Sequence, residues 1–98
     1  MITEAKVATP YGLAYTRRLC RHFAHKIPVA VEANQGRLEF QFGVCTIDND
    51  DDFMHIRIDV PDAAELDRAE RVVGEHLIRM ANKDEPVVTW QRTSPAES

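Results

Sequence analysis

The sequence has little of what membrane-spanning, exported or disulfide-stabilised proteins require. No apolar run approaches the roughly 20 residues of a membrane-spanning helix, and nothing resembles a signal peptide. Cysteine occurs only twice, at Cys20 and Cys45. Because a chain without an export signal lives among reducing agents, we expect both as free, buried thiols. The sequence therefore predicts a cytoplasmic protein without a membrane segment.

Residue patterns of common enzyme classes are also missing. There is no glycine-rich phosphate loop and no Ser-His-Asp arrangement. A cysteine nucleophile needs an adjacent base, but on a helix Cys20 and His22 point in nearly opposite directions. The acidic stretch from Asp48 to Asp52 is predicted to be a turn, because Phe53 stands where a calcium loop needs glycine. These residue patterns favour a protein that is not an enzyme, but they do not decide the question.

Length and composition fit one modest domain. A chain of 98 residues, 44% hydrophobic and 29% charged, can bury one core without metal or disulfide staples. We predict a single domain over residues 1–92 and a disordered tail over residues 93–98. Residues 1–43 hold six basic and three acidic residues, whereas residues 44–98 hold six basic and thirteen acidic ones. This asymmetry indicates either a bipolar surface or helix faces that simply differ in sign.

The first helix is predicted from Thr9 to Lys26. Thr9 suits the N-cap, Pro10 suits the first helical position, and Pro28 ends the helix. Helical spacing turns one face inward: Leu13, Thr16, Leu19, Cys20, Phe23, Ala24 and Ile27. The opposite face is a continuous basic surface: Tyr15, Arg17, Arg18, Arg21, His22, His25 and Lys26.

Alternation of apolar and polar residues predicts strands on both sides of this helix. They are a short edge strand at Thr3–Ala8, then Val29–Ala33, Leu38–Phe42, Val44–Ile47 and Phe53–Val60. Asn34-Gln35-Gly36 is predicted to be a hairpin turn with Gly36 in the left-handed conformation. Gly43 suggests a bulge or tight connection that turns Cys45 and Ile47 inward.

A second helix is predicted from Asp62 to about Ala81. Asp62 and Glu65 have the spacing of a capping box. Its apolar stripe is Leu66, Ala69, Val73, Leu77 and Met80, with His76 on the shoulder. The outer side is predicted to carry a ladder of ion pairs: Asp67, Arg71, Glu75 and Arg79. Val87–Trp90 is predicted to be a last strand that seats Trp90 on the core.

These elements predict an α+β domain with an antiparallel sheet of four to five strands and both helices on one face. The order β-α-β-β-β-β-α-(β) is TATA-binding-protein-like, an analogy of fold that implies no DNA binding. The other sheet face stays open and is a candidate surface for a homodimer: Glu32, Glu39, Gln41, His55 and Arg57.

Several short runs also resemble a known family. They are Cys20-Arg21-His22-Phe23-Ala24-His25-Lys26, Gly43-Val44-Cys45, Val72-Val73, His76-Leu77 and Trp90. With these runs the chain resembles the bacterial domain of unknown function 2218. The family has no established activity. Its members are similar to a segment that accompanies siderophore-interacting, flavin-binding reductases, so the resemblance implies an accessory role in iron or siderophore use.

The leading site hypothesis is the basic helix face: Arg17, Arg18, Arg21, His22, His25 and Lys26. As a small binding or interaction module, the protein would contact an anionic small molecule or an acidic protein surface there, and the histidines would add pH sensitivity. Nucleic acid is disfavoured, because the net charge is −4 and Tyr15 is the only aromatic neighbour. The plainer interpretation is a solvated helix exterior.

The competing hypothesis is a metal- or thiol-dependent protein. Zinc or iron would be held by an inward trio of Cys20, Cys45 and His76. The more usual state of such residues is a pair of buried thiols and a hydrogen-bonded histidine, with no cofactor.

Overall fold

The structure, a computed structural model, describes residues 1–93. Within them lie six strands, two α-helices and one short 3-10 helix, Ala63–Glu65. In chain order they are β1 (Ile2–Ala8), α1 (Gly12–Phe23), β2 (Val29–Glu32), β3 (Gln35–Phe40), β4 (Gly43–Asn49), β5 (Phe53–Asp59), α2 (Leu66–Met80) and β6 (Trp90–Thr93).

The six strands form one antiparallel sheet in the order β2-β3-β4-β5-β1-β6. The predicted α+β class is confirmed, but the expected four to five strands were too few. β1 is not an edge strand, because β6 pairs with its free side and brings Trp90 opposite Ala5. Thr93, predicted to begin the tail, ends β6, and residues 94–98 lie outside the described residues.

The core lies between one face of the sheet and the two helices. Period-two alternation predicted the buried residues of β5 correctly, since Met54, Ile56 and Ile58 are buried while His55 and Arg57 are exposed. Cys45 and Ile47 of β4 also point inward. Both helices contribute buried side chains to the same cluster, so the other segments of residues 1–93 leave the opposite sheet face uncovered.

The first helix is shorter than predicted at both ends. Thr9 does not cap it; its Oγ1 accepts a hydrogen bond from Tyr11 N at 3.1 Å in the turn before α1, and the N-cap residue is Tyr11. At the other end, Lys26 N and Ile27 N both donate to Phe23 O, at 2.9 and 3.0 Å. His25 and Lys26 therefore lie in a turn beyond the helix.

Tyr15 was predicted on the exposed face, and that prediction is wrong, because its side chain is fully buried. Its hydroxyl donates to Asp84 Oδ1 and accepts the backbone N–H groups of Lys83 and Asp84 at 3.2 and 3.1 Å. Thr9 Oγ1 donates to Asp84 Oδ2 at 2.7 Å. These bonds fasten the connector between α2 and β6, residues 81–89, onto α1.

The β2–β3 hairpin turns one residue earlier than predicted. Ala33, with φ of 53°, and Asn34 make the turn, so it is Ala33 and not Gly36 that has a positive φ. Gly36 lies in β3, where a Cβ atom would come within 2.4 Å of Thr16 Cγ2. Glycine is needed there because α1 approaches the sheet closely.

The start of the second helical segment was predicted in part. Asp62 Oδ1 accepts the N–H of Ala64 at 3.0 Å, as an N-cap does. Glu65 does not return a side-chain bond; its backbone N–H donates to Asp62 O at 3.2 Å.

The predicted ion-pair ladder along α2 is wrong. In the part of the chain from residue 1 to residue 93, no ion pair joins its four members. Arg92 of β6 pairs with Asp67 instead, at 2.5 Å. Its guanidinium also donates two hydrogen bonds to the Glu70 carboxylate, of 2.9 and 2.8 Å. Thr3 Oγ1 donates a further bond to Glu70 at 2.7 Å. The partner was missed because it lies on a strand that pairs from the end of the chain.

The Glu70 carboxylate predicts how stability responds to acid. Its bond to Arg92, then its bond to Thr3, hold the pKa of Glu70 below its ordinary value. A carboxyl group with a lower pKa when folded stabilises the protein above its unfolded-state pKa of about 4.3 and loses that contribution as the pH falls further. We expect the free energy of unfolding, measured with urea, to fall as the pH drops below about 5.

Glu70→Gln should flatten this acid-side slope. The control is Glu75→Gln, an exposed glutamate of the same helix outside the ion pairs of residues 1–93, which should keep the wild-type slope. Equal slopes for wild type and Glu70→Gln would contradict the assignment.

Candidate functional site

The two helices run antiparallel and side by side. Three contacts show this, because the residue number rises along α1 from one contact to the next while the number of its partner falls towards the start of α2. The Tyr15 hydroxyl meets Lys83 N, Arg18 Nη1 lies 3.3 Å from Met80 O, and the His22 and His76 ring centroids are 5.2 Å apart. The outer face of α1 is therefore one wall of a cleft and not an isolated helix surface.

This cleft, which we call the basic groove, has a volume of about 510 Å³. It is lined by Arg18, Arg21, His22, His25, Arg79, Met80 and Asn82. Four of the six residues in the leading site hypothesis line it. The remaining two, Arg17 and Lys26, are exposed elsewhere.

The second wall was missed from the sequence. Arg79 had been placed in the ion-pair ladder of α2, where its partner would have been Glu75. Among residues 1–93 it makes no ion pair, and it faces Arg18 and Arg21 across the groove. The signal that points to it is its position in the last turn of α2, which antiparallel packing places beside the middle of α1.

Carboxylates of residues 1–93 do not neutralise the charge of the groove. Within the described residues, Arg18, Arg21 and Arg79 form no ion pair with a carboxylate. Arg18 instead donates a hydrogen bond to Met80 O, at the carbonyl end of α2, where the helix dipole favours a cation. The arrangement leaves guanidinium donors of two helices available to an anion.

His22, predicted on the outer face of the first helix, and His76, predicted on the shoulder of the second, meet in the structure. Their rings lie 5.2 Å apart at an angle of 46°, and the Phe23 ring centroid is 4.9 Å from each. His76 Nδ1 lies 2.6 Å from Val72 O. A carbonyl oxygen only accepts, so Nδ1 carries the hydrogen in this contact.

The thiols of the competing metal hypothesis are buried. Burial, followed by the neighbouring Cys20, raises the pKa of Cys45 to about 12, and burial also raises the pKa of Cys20. Metal binding needs the thiolate form, which these shifts disfavour. In residues 1–93 no three His, Cys, Asp or Glu side chains lie close enough to hold a metal ion. His76 packs against His22 and Phe23 instead.

A larger hollow of about 710 Å³ lies on the open sheet face, whose predicted exposed residues are all exposed. Its charges have both signs. Glu4 stands opposite Arg57 and Asp48 opposite His55 in the strand registers. Because opposite charges at paired positions offset each other, this hollow has a weaker preference for an ion of one sign than the basic groove has.

A turn joins β4 and β5, as predicted, but it is shorter than predicted because Asp48 and Asn49 belong to β4. Asp50 Oδ1 accepts the N–H groups of Asp52 and Phe53 at 2.9 and 2.7 Å, and Oδ2 lies 3.2 Å from His55 Nε2. The bond from Asp52, then that from His55, hold the pKa of Asp50 below its ordinary value. Both oxygens of this carboxylate thus bond to groups of the turn and of the adjoining strand.

Fold and site together define a small antiparallel α+β domain with a basic groove between its helices. The chain belongs to the family described as uncharacterized proteins conserved in bacteria, domain of unknown function 2218, whose model matches residues 4–91. This confirms the resemblance seen in the sequence.

The chain is also similar to a solved structure, the NMR structure of PA4090 from Pseudomonas aeruginosa. The two are 32% identical over 99% of this chain and 98% of that chain, with a TM-score of 0.76. A comparison with curated proteins finds no match. No helix in the stretch 1–93 is both long and apolar enough to cross a membrane.

Proposed function

We propose that the protein is a cytoplasmic binding module that holds a small anion in the basic groove. The observation that carries the proposal is the set of three arginines from two helices, none of them paired with a carboxylate in residues 1–93, around one cleft of about 510 Å³. Charge-assisted hydrogen bonds from guanidinium groups to an anion are about twice as strong as neutral ones.

A small molecule suits the groove better than a flat acidic protein surface. The donors stand on opposite walls, Arg18 and Arg21 on α1 and Arg79 on α2, so a ligand that enters the cleft reaches all three. An acidic partner surface, the other occupant that the sequence suggested, would need a projecting carboxylate to do the same.

The test is a calorimetric titration with naphthalenetrisulfonate, a small anion that stays fully ionised across the working pH range. We expect binding by the wild type and a weakening of at least about tenfold in Arg21→Gln/Arg79→Gln, since losing two charge-assisted bonds costs about 1.5 kcal/mol or more.

The matched control is Arg17→Gln/Arg71→Gln. It removes the same two charges from exposed positions outside the groove and should change the affinity by less than about threefold at moderate salt. Equal weakening in both double variants would mean that net charge, and not the groove, attracts the probe.

The family resemblance adds a candidate ligand. An accessory role in iron or siderophore use would place an anionic ferric chelate in the same groove, and ferric citrate in the same titration tests this. Binding of ferric citrate with the same variant pattern would support the role.

Two further predictions complete the proposal. The strand order β2-β3-β4-β5-β1, with β6 added at the edge, supports a TATA-binding-protein-like arrangement as an analogy of fold. Self-association through the open sheet face would appear in sedimentation as a dimer, and a monomer over a range of salt concentrations would reject it.

A further inference from the structure

The His22–His76 pair gives the basic groove a means of responding to pH. His22 lines the groove, and His76 lies directly behind it, 5.2 Å from centroid to centroid. Histidine changes charge between about pH 5 and pH 8. Two imidazoles this close repel each other when both are protonated, so the charge of one depends on the charge of the other.

We propose that anion binding in the basic groove is coupled to uptake of a proton by the His22–His76 pair, so that the affinity rises as the pH falls. This inference rests on the proposed function and specifies how that site is regulated. His22 faces the anion, and His76 is a positioning residue that acts through His22.

The surroundings of the pair explain why protonation needs the anion. On α1 and in the turn after it, Arg18, Arg21, His25 and Lys26 carry or can carry positive charge. On α2 the neighbours are Arg79, which is positive, and Glu75, which makes no ion pair in residues 1–93. β3 contributes only Phe40, whose ring packs against Phe23 at 4.9 Å.

A second proton on the pair is therefore opposed by nearby cations in the free protein. An anion in the groove offsets that repulsion, because its negative charge lies next to His22. By linkage, a ligand that favours the protonated pair must itself bind more tightly when the pair is protonated.

The geometry of His76 makes the coupling local. Its Nδ1 is held by Val72 O at 2.6 Å, which fixes the ring, so protonation takes place at Nε2. Adding the proton changes Nε2 from an acceptor to a donor. The ring lies against His22 and Phe23, so the added charge acts on His22 first and through it on the groove.

The experiment measures naphthalenetrisulfonate affinity at about pH 7.5 and about pH 5.5, since the charge of the sulfonates does not change in the range where histidine titrates. We expect the wild type to bind roughly tenfold more tightly at the lower pH. Titrations in buffers of different ionisation enthalpy should show net proton uptake on binding.

His76→Asn is the test variant, because an asparagine amide keeps a donor for Val72 O but does not titrate. It should retain the affinity measured near pH 7.5 and reduce the pH effect to less than about threefold, the remainder coming from His22 and His25. His55→Asn, on the open sheet face, is the matched control and should keep the wild-type pH effect. Thermal unfolding of each variant shows whether it is folded.

The outcomes separate the two proposals. No binding of the probe at either pH would overturn the proposed function. Binding with the same affinity at both pH values would overturn the coupling alone, and so would a full pH effect in His76→Asn.

Discussion

Asp84→Ala is expected to lower the free energy of unfolding by about 3 kcal/mol or more, because it leaves buried hydroxyl groups without acceptors. The Asp84 carboxylate accepts from the Tyr15 hydroxyl at one oxygen and from Thr9 Oγ1 at the other. Burial of the ring, and then the bond to Asp84, raise the pKa of Tyr15, so its hydroxyl stays protonated and donates. Each donor that stays buried without a partner costs roughly 1–3 kcal/mol.

Two companion variants separate the bonds from the loss of a charge. Asp84→Asn keeps an oxygen for Tyr15 but loses the acceptor for Thr9, so its destabilisation should be intermediate. Glu85→Ala removes a carboxylate from the next, exposed residue and should stay within about 0.5 kcal/mol of the wild type. Urea unfolding followed by Trp90 fluorescence measures all three. A loss in Asp84→Ala no larger than in Glu85→Ala would contradict this account.

The connector that Asp84 holds also shapes the basic groove. Asn82, which lines the groove, lies two residues before Asp84, and α2 ends at Met80. The bonds between Tyr15 and the backbone of Lys83 and Asp84 thus hold the segment that follows α2 against α1. The buried tyrosine is part of what holds the groove arginines at their positions.

Local sequence patterns predicted the parts of the fold that local rules control. β5 was predicted within one residue, because a strand with one buried face alternates strictly and Met54, Ile56 and Ile58 follow that alternation. The start of the second helical segment followed from the capping side chain of Asp62, which needs only its own neighbours in sequence.

What failed depends on contacts between distant segments. Tyr15 was assigned to the exposed helix face because a tyrosine side chain tolerates contact with water. Its burial depends on a hydrogen-bond partner in the connector, Asp84, 69 positions away. β1 became internal because β6 returns from the end of the chain. The apolar stripe of a single helix determines neither the angle nor the direction in which it packs against another helix. The His22–His76 contact and the position of Arg79 in the groove were therefore missed.

The candidate site shows the same division. The basic face of α1 was predictable, because helical spacing alone gathers Arg18, Arg21, His22 and His25 on one side. That this face forms a groove was not, because the second wall comes from α2 and from the segment after it. The charges could be predicted from the sequence, whereas their position around one cleft depends on the packing of two helices.

Gly43→Ala is expected to destabilise the protein by about 3 kcal/mol or more, because the backbone itself blocks the new methyl group. Gly43 has φ of +155°, and a Cβ atom there would lie 2.2 Å from Asp59 O and 2.9 Å from Val60 Cγ1. Asp59 belongs to the neighbouring strand, so relief requires β4 and β5 to move apart at the start of β4.

Gly74→Ala provides the matched control for the same chemical change. A Cβ atom there would meet Trp90 Nε1 at 3.4 Å, an ordinary contact, and alanine favours a helix over glycine by about 1 kcal/mol. We expect Gly74→Ala to be as stable as the wild type or more so in urea unfolding, and Gly43→Ala to unfold at a much lower concentration or to lack the folded circular dichroism spectrum. Similar stability of the two variants would mean that the β4–β5 pairing gives way at little cost.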